Sequence, residues 1–139
     1  MAIETHNPSA KKFQNTDGTT MFKRFQYSAA VKAGGFLYVA GQVGFDENGS
    51  IPEADKDQIE EAFRCLKQVI EGAGGSMSQI IELVSYHVGL ENHLADFMET
   101  KSRYVPEPYP TWTILEVAGL ARKEFVIEIK AVAYLGGCE

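Results

Sequence analysis

The clearest pattern in the chain is a helical stripe. Ile59, Phe63, Leu66 and Ile70 recur three to four residues apart, while Glu60, Arg64, Lys67 and Gln68 fall mostly off that line, which predicts a helix from about Asp55 to Glu71. It ends at Gly72-Ala73-Gly74-Gly75, a cap and loop after a helix and not a phosphate cradle between a strand and a helix. Upstream, Tyr27 to Lys32 and Phe36 to Val43 flank Gly34-Gly35 and predict a hairpin, with Gly41 marking a bulge or a close backbone approach. Downstream, the β-branched and aromatic run Ile80 to Val88 predicts a buried central strand. A second helix is expected from about His93 to Tyr104, with Leu94, Phe97, Met98 and Lys101 near one side. Pro106-Glu107-Pro108-Tyr109-Pro110 stops it and stiffens the entry to a strand over Thr111 to Val117. A last strand runs from Phe125 to Tyr134, after a loop holding Arg122 and Lys123.

The order β-β-α-β-α-β-β predicts a single α+β domain with a mixed β-sheet and two helices packed on one face. The other sheet face is only partly polar, which points to subunit association. Residues 1–20 are polar and read as an N-terminal arm or edge segment, and 21–139 as the domain. Asn48-Gly49 reads as a turn.

At 139 residues and 45% hydrophobic content, the chain suits one domain with a real core. The formal charge of −6 argues against broad contact with phosphate backbones, so no nucleic acid is expected. No apolar leader or membrane-length run is visible, so the expected location is cytoplasmic, away from membranes. Cys65 and Cys138 have neither disulfide nor metal spacing, and Cys138 reads as an inert tail thiol. His6, His87 and His93 lack metal-ligand spacing, so no metal is expected. There is no P-loop, dinucleotide fingerprint or nucleophile elbow.

Several segments carry a family resemblance. Tyr27-Ser28-Ala29-Ala30-Val31-Lys32-Ala33-Gly34, Val39-Ala40-Gly41-Gln42-Val43, Pro110-Thr111-Trp112-Thr113-Ile114-Leu115-Glu116-Val117 and Ile127-Glu128-Ile129 together resemble the Rid family. These are the reactive intermediate deaminases, also called the YjgF or L-PSP endoribonuclease-like group. Pro108-Tyr109-Pro110 with Trp112-Thr113, and Tyr27-Ser28-Ala29-Ala30, are similar to its YjgH-like branch, which has no settled function. The resemblance implies a chorismate-mutase-like fold, a homotrimer, and a small-molecule cleft at each subunit interface. It also implies hydrolysis of enamines or imines to 2-oxo acids and ammonia without a cofactor.

Carried over by motif, Glu128 is the water-positioning catalytic residue and Tyr27 the cleft-lining tyrosine lent by an adjacent subunit. Gly41 and Gln42 lie on the strand whose backbone approaches the ligand. Trp112 stands where the family has its carboxylate-binding arginine. An indole offers one donor and no charge, so it cannot replace a bidentate guanidinium. It can stack on a ligand or simply fill the cleft. Met98 replaces a frequent asparagine and Ile114 a frequent cysteine, both making the cleft more apolar, while Thr113 could supply a hydroxyl. His87, Lys101 and Arg122 are candidate substitutes for the missing cation.

The expectation is a deaminase-like hydrolase of neutral, aromatic or cationic imines or related small electrophiles, poor at 2-iminopropanoate. The alternative is a non-catalytic metabolite-binding or sensor trimer. The endoribonuclease activity in the group's older name ranks last.

Overall fold

The computed structural model describes residues 2–136. Six strands form one mixed sheet in the order β1-β2-β3-β6-β4-β5, where β1 is Glu4–His6, β2 Ala30–Ala33, β3 Phe36–Gln42, β4 Ile80–His87, β5 Thr111–Glu116 and β6 Ile127–Tyr134. All neighbours are antiparallel except β4 and β5, which run parallel through the intervening helix. Three helices accompany the sheet: α1 Met21–Phe25, α2 Asp55–Gly72 and α3 Leu94–Tyr104. The hairpin, both long helices and the last three strands follow the hydrophobic pattern. Asn48-Gly49 lies in a turn closed by Asp46 and Ser50.

Two elements exceed the expectation. Glu4–His6 pairs with β2 as a sixth, edge strand, and Met21–Phe25 forms a short helix capped by the Thr20 hydroxyl, which accepts from the Lys23 amide at 3.2 Å. Phe13 and Phe22 are both buried and their rings pack 5.8 Å apart. Neither lies in a periodic run, so only long-range packing reveals them. Cys65 is buried, its thiol pushed up in pKa by burial, and Cys138 lies outside the described residues.

The core lies between the sheet and α2. Ile59, Phe63, Leu66 and Ile70 are fully buried against Leu37, Leu83, Ile127 and Ile129. Each such burial contributes roughly 1.5–3 kcal/mol. Asp55 and Asp57 occupy the first turn of α2, where acidic groups suit the helix dipole. α3 packs beside α2 through Phe97, whose ring lies 5.5 Å from that of Phe63. Both long helices thus cover one sheet face.

Among the described residues, neither long helix covers the other sheet face. Phe36, Tyr38, Leu115 and Tyr134 are exposed, and the Phe36 and Tyr134 rings meet at 5.1 Å. No helix among the described residues is long and apolar enough to cross a membrane.

Candidate functional site

A β-bulge organises the site. On β3, Val39 pairs with Ala131 and Gln42 with Ile129, so two residues of β3, Ala40 and Gly41, stand against the single Lys130 of β6. The extra residue reverses the alternation: Leu37 and Val39 face the helices, and so does Gln42, while Gly41 comes to lie against Glu128. A Cβ on Gly41 would collide with the Glu128 carboxylate. Gly41 is therefore the close approach its sequence position suggested. Gln42 is buried, and its amide donates to the Ala40 carbonyl at 3.1 Å. Its side chain does not reach the cavity.

Above Gly41 opens a cavity of about 670 Å³, lined by Tyr27, Gly41, Phe45, Arg122, Phe125 and Glu128, with Arg24 at its α1 side. Tyr27 is held by edge-on contact with Phe22, 5.3 Å between centroids, just after the left-handed Gln26 that ends α1. Phe45 and Phe125 meet edge to face at 5.5 Å. The loop carrying Phe125 is tied to α2 by buried Gln58. Its amide donates to the Glu124 carbonyl at 3.0 Å, and its carbonyl accepts from the Val126 amide at 2.7 Å. Gln58 gave no signal in the sequence, since it sits on an otherwise apolar stripe.

Glu128 is partly buried on the uncovered face of β6, opposite Tyr86. Burial alone pushes its carboxyl above the usual range, and no Lys or Arg among the described residues pairs with it. Tyr27 is raised as well, first by burial and then by the Glu128 charge, which places the two groups in one electrostatic environment. A carboxyl of this kind is suited to proton transfer. Arg122 reaches the cavity wall but also pairs with Glu124 at 3.3 Å.

Trp112 lies elsewhere in the protomer. Its Cα partner is Leu83, so it points to the helix face, opposite the face bearing Glu128. One ring face stacks on Phe97, with centroids 5.7 Å apart, and the Lys101 ammonium stands 4.8 Å from the ring centroid. The same ammonium is 5.8 Å from the Tyr109 ring. Partial burial holds Lys101 below the usual lysine range. The indole donates to the Ser85 hydroxyl at 2.9 Å. Ile114 shares this face two residues on, and Met98 is exposed on α3. Thr113 points the other way, exposed beside Val84, so it does not extend the Trp112 surface.

The structure removes His87 from the candidate cations. It is fully buried, with Nε2 2.8 Å from the Ser85 hydroxyl and Nδ1 3.0 Å from His93 Nε2. Burial, and then the neighbouring His93, lower its pKa to about 4, so it carries no charge at neutral pH. His93 Nδ1 lies 2.8 Å from Asp55, at the start of α2. Nothing in the local pattern signals that these two histidines meet, because His93 sits at a helix start and His87 at a strand end. No group of three His, Cys, Asp or Glu residues among those described could hold a metal ion.

Within one protomer, then, Tyr27, Gly41 and Glu128 converge, while Trp112, Met98, Ile114 and Lys101 gather on the opposite sheet face around β5 and α3. This split arrangement sits on a sequence whose residues 20–135 match the pattern of the family described as Endoribonuclease L-PSP. The chain belongs to that family. The RutC family protein YjgH of Escherichia coli (strain K12) is 38% identical over 116 residues, covering 82% of this chain and 86% of that protein. The structure of RidA from the Antarctic bacterium Psychrobacter superposes with a TM-score of 0.78 at 32% identity, covering 94% of this chain and 98% of that one. A 2-iminobutanoate/2-iminopropanoate deaminase of Dermatophagoides farinae is 26% identical over 111 residues, 78% of this chain and 85% of that protein. Membership of the L-PSP family establishes the α+β, chorismate-mutase-like architecture.

Proposed function

We propose that this L-PSP family protein is a cofactor-independent hydrolase of C=N bonds, acting on small imines or enamines in a cleft completed by a second copy of the chain. The observation that carries the reading is Glu128: an unpaired, partly buried carboxyl of raised pKa beside Tyr27, with room made for it by Gly41. In the reaction Glu128 takes a proton from water as its oxygen attacks the C=N carbon. It returns that proton to nitrogen to give a carbinolamine, then carries the new hydroxyl's proton to the same nitrogen as the C–N bond breaks, so that ammonia and a carbonyl product leave.

Assembly supports the same reading. Glu128 and Trp112 face opposite ways in one protomer, so a cleft containing both needs two copies. Phe36, Tyr38 and Tyr134 give the uncovered sheet face an apolar surface suited to a homotrimer.

The substrate follows from the Trp112 cluster. Phe97 stacks on the indole and the Lys101 ammonium stands over its ring, so Trp112 acts as filler and cation shelf. Lys101 disfavours a cationic imine and offers a carboxylate only a point charge, without the planar fork of an arginine. Neutral and aromatic imines are the favoured class, and 2-iminopropanoate is a poor substrate. Apolar Met98 and Ile114 favour a second reading, in which the cleft binds a small metabolite without turnover. Ammonia release from a panel of neutral, aromatic and carboxylate-bearing imines tests the proposal. Turnover of neutral members, lost in Glu128→Gln, is expected, and saturable binding without ammonia release would transfer the function to the second reading.

A further inference from the structure

Beneath Trp112 runs a buried chain of polar groups that the hydrolysis does not use. It passes from the Trp112 indole to Ser85 at 2.9 Å, from Ser85 to His87 at 2.8 Å, from His87 to His93 at 3.0 Å and from His93 to Asp55 at 2.8 Å. Ser85, His87 and His93 are each at most 1% exposed, whereas the Asp55 carboxylate is about a third exposed. Three elements and a loop are joined: β5, β4, the turn before α3, and the first turn of α2.

The two ends set the direction of every bond. An indole nitrogen only donates, and an ionised carboxylate only accepts. With both histidines neutral, one arrangement satisfies all the groups. His93 donates from Nδ1 to Asp55 and accepts at Nε2, and His87 donates from Nδ1 to His93 and accepts at Nε2. The Ser85 hydroxyl donates to His87 and accepts from Trp112. Buried groups this costly to leave unpaired make the arrangement self-enforcing.

We infer that Asp55, His93, His87 and Ser85 are positioning residues that fix the Trp112 indole against Phe97 and Lys101, and through it the ammonium presented to a ligand. The ligand part of this inference rests on the proposed cleft; the positioning part does not. Charge on His87 would add a proton at Nε2, reversing the Ser85 bond and leaving the Ser85 hydroxyl without its acceptor, while the bond to His93 keeps its direction. The groups that bear on it are His93 and, through it, Asp55 on α2; Glu116, exposed opposite it on β5; and Lys101 of α3, across the indole. Phe97 packs edge-on at 4.7 Å and carries no charge.

Trp112 is the single tryptophan of the chain, so its fluorescence and its indole N–H resonance report this site alone. Both are measured on the purified full chain for wild type, Ser85→Ala, Ser85→Thr, His93→Gln and Asp55→Asn, with circular dichroism to confirm folding. Ser85→Ala removes a buried bond, while Asp55→Asn and His93→Gln put amides that both donate and accept where the bond direction was fixed, so each should shift the indole N–H and raise acrylamide quenching about twofold. Ser85→Thr, which keeps the hydroxyl, should restore the wild-type signal. The effects of His93→Gln and Asp55→Asn are decisive, because neither residue touches Trp112. Folded variants at either position with a wild-type indole signal would overturn the inference. If His93→Gln does not fold, Asp55→Asn at the exposed end decides alone. These readouts need no ligand, so failure of the imine assay leaves them intact, and their failure leaves that assay intact.

Discussion

Gly41 and Glu128 are complementary: the Glu128 carboxylate occupies the space where a side chain on Gly41 would begin. The β3 bulge places the glycine there, and the glycine lets the carboxylate lie over the strand. Gly41→Ala is therefore expected to cost about 1–3 kcal/mol by overpacking or to expel Glu128 from its place. Thermal unfolding together with ammonia release checks this, and a variant with unchanged stability and activity would show that the carboxylate has other room.

Glu128→Gln should keep the fold and lose about 10²–10⁴-fold in turnover. The raised pKa of Glu128 means that the folded protein holds this proton more tightly than the unfolded chain. Its contribution to stability therefore falls as pH rises from the ordinary carboxyl range through the raised value. At neutral pH the glutamine variant is expected to melt at or above the wild-type temperature. A marked drop in melting temperature would assign Glu128 a structural role.

His87 has the opposite sign. Its pKa is lowered to about 4, so between about 6.5 and 4 the unfolded chain takes up a proton that the folded chain refuses. Stability from this group is complete above about 6.5 and declines toward pH 4, by about 3 kcal/mol in all. Denaturant titrations of wild type and His87→Asn across that range should show the decline in wild type alone. Equal slopes would place the acid sensitivity elsewhere.

Trp112→Arg by itself sets a guanidinium beside Lys101, a like-charge contact. The pair Trp112→Arg with Lys101→Gln removes that conflict and should gain hydrolysis of 2-iminopropanoate, at least about tenfold if a charge-assisted bond of 1.5–3 kcal/mol is recovered. Continued inactivity in a folded double variant would mean that more of the cleft has diverged than position 112.

Tyr38→Glu combined with Tyr134→Glu places charge on the uncovered sheet face, where both tyrosines are exposed. Sedimentation should show a trimer for wild type and smaller species for the variant, with loss of any imine hydrolysis. A monomeric wild type would remove the shared cleft.

The two long helices were legible because their apolar stripes answer directly to a sheet. The bulge was legible because Gly41 breaks a strand that otherwise alternates. The burial of Phe13 and Phe22 was not, since isolated apolar residues in or just after a polar arm acquire meaning only from distant partners, and the edge segment read in residues 1–20 gained its pairing of Glu4–His6 with β2 only in the fold. Gln58 was hidden for a related reason: its value lies in pinning Glu124 and Val126, over sixty residues away.

The same division separates what each level decided. By itself the sequence determined the α+β order of elements and the family, because periodicity and local motifs are properties of neighbours along the chain. Only the tertiary structure decided that Trp112 and Glu128 face opposite ways, that Lys101 covers the indole, and that His87 is a buried link and not a free cation. Strand parity, the packing of α3 on Trp112 of β5 and the link from His93 to Asp55 of α2 fix those outcomes, and each depends on contacts that the local pattern does not contain.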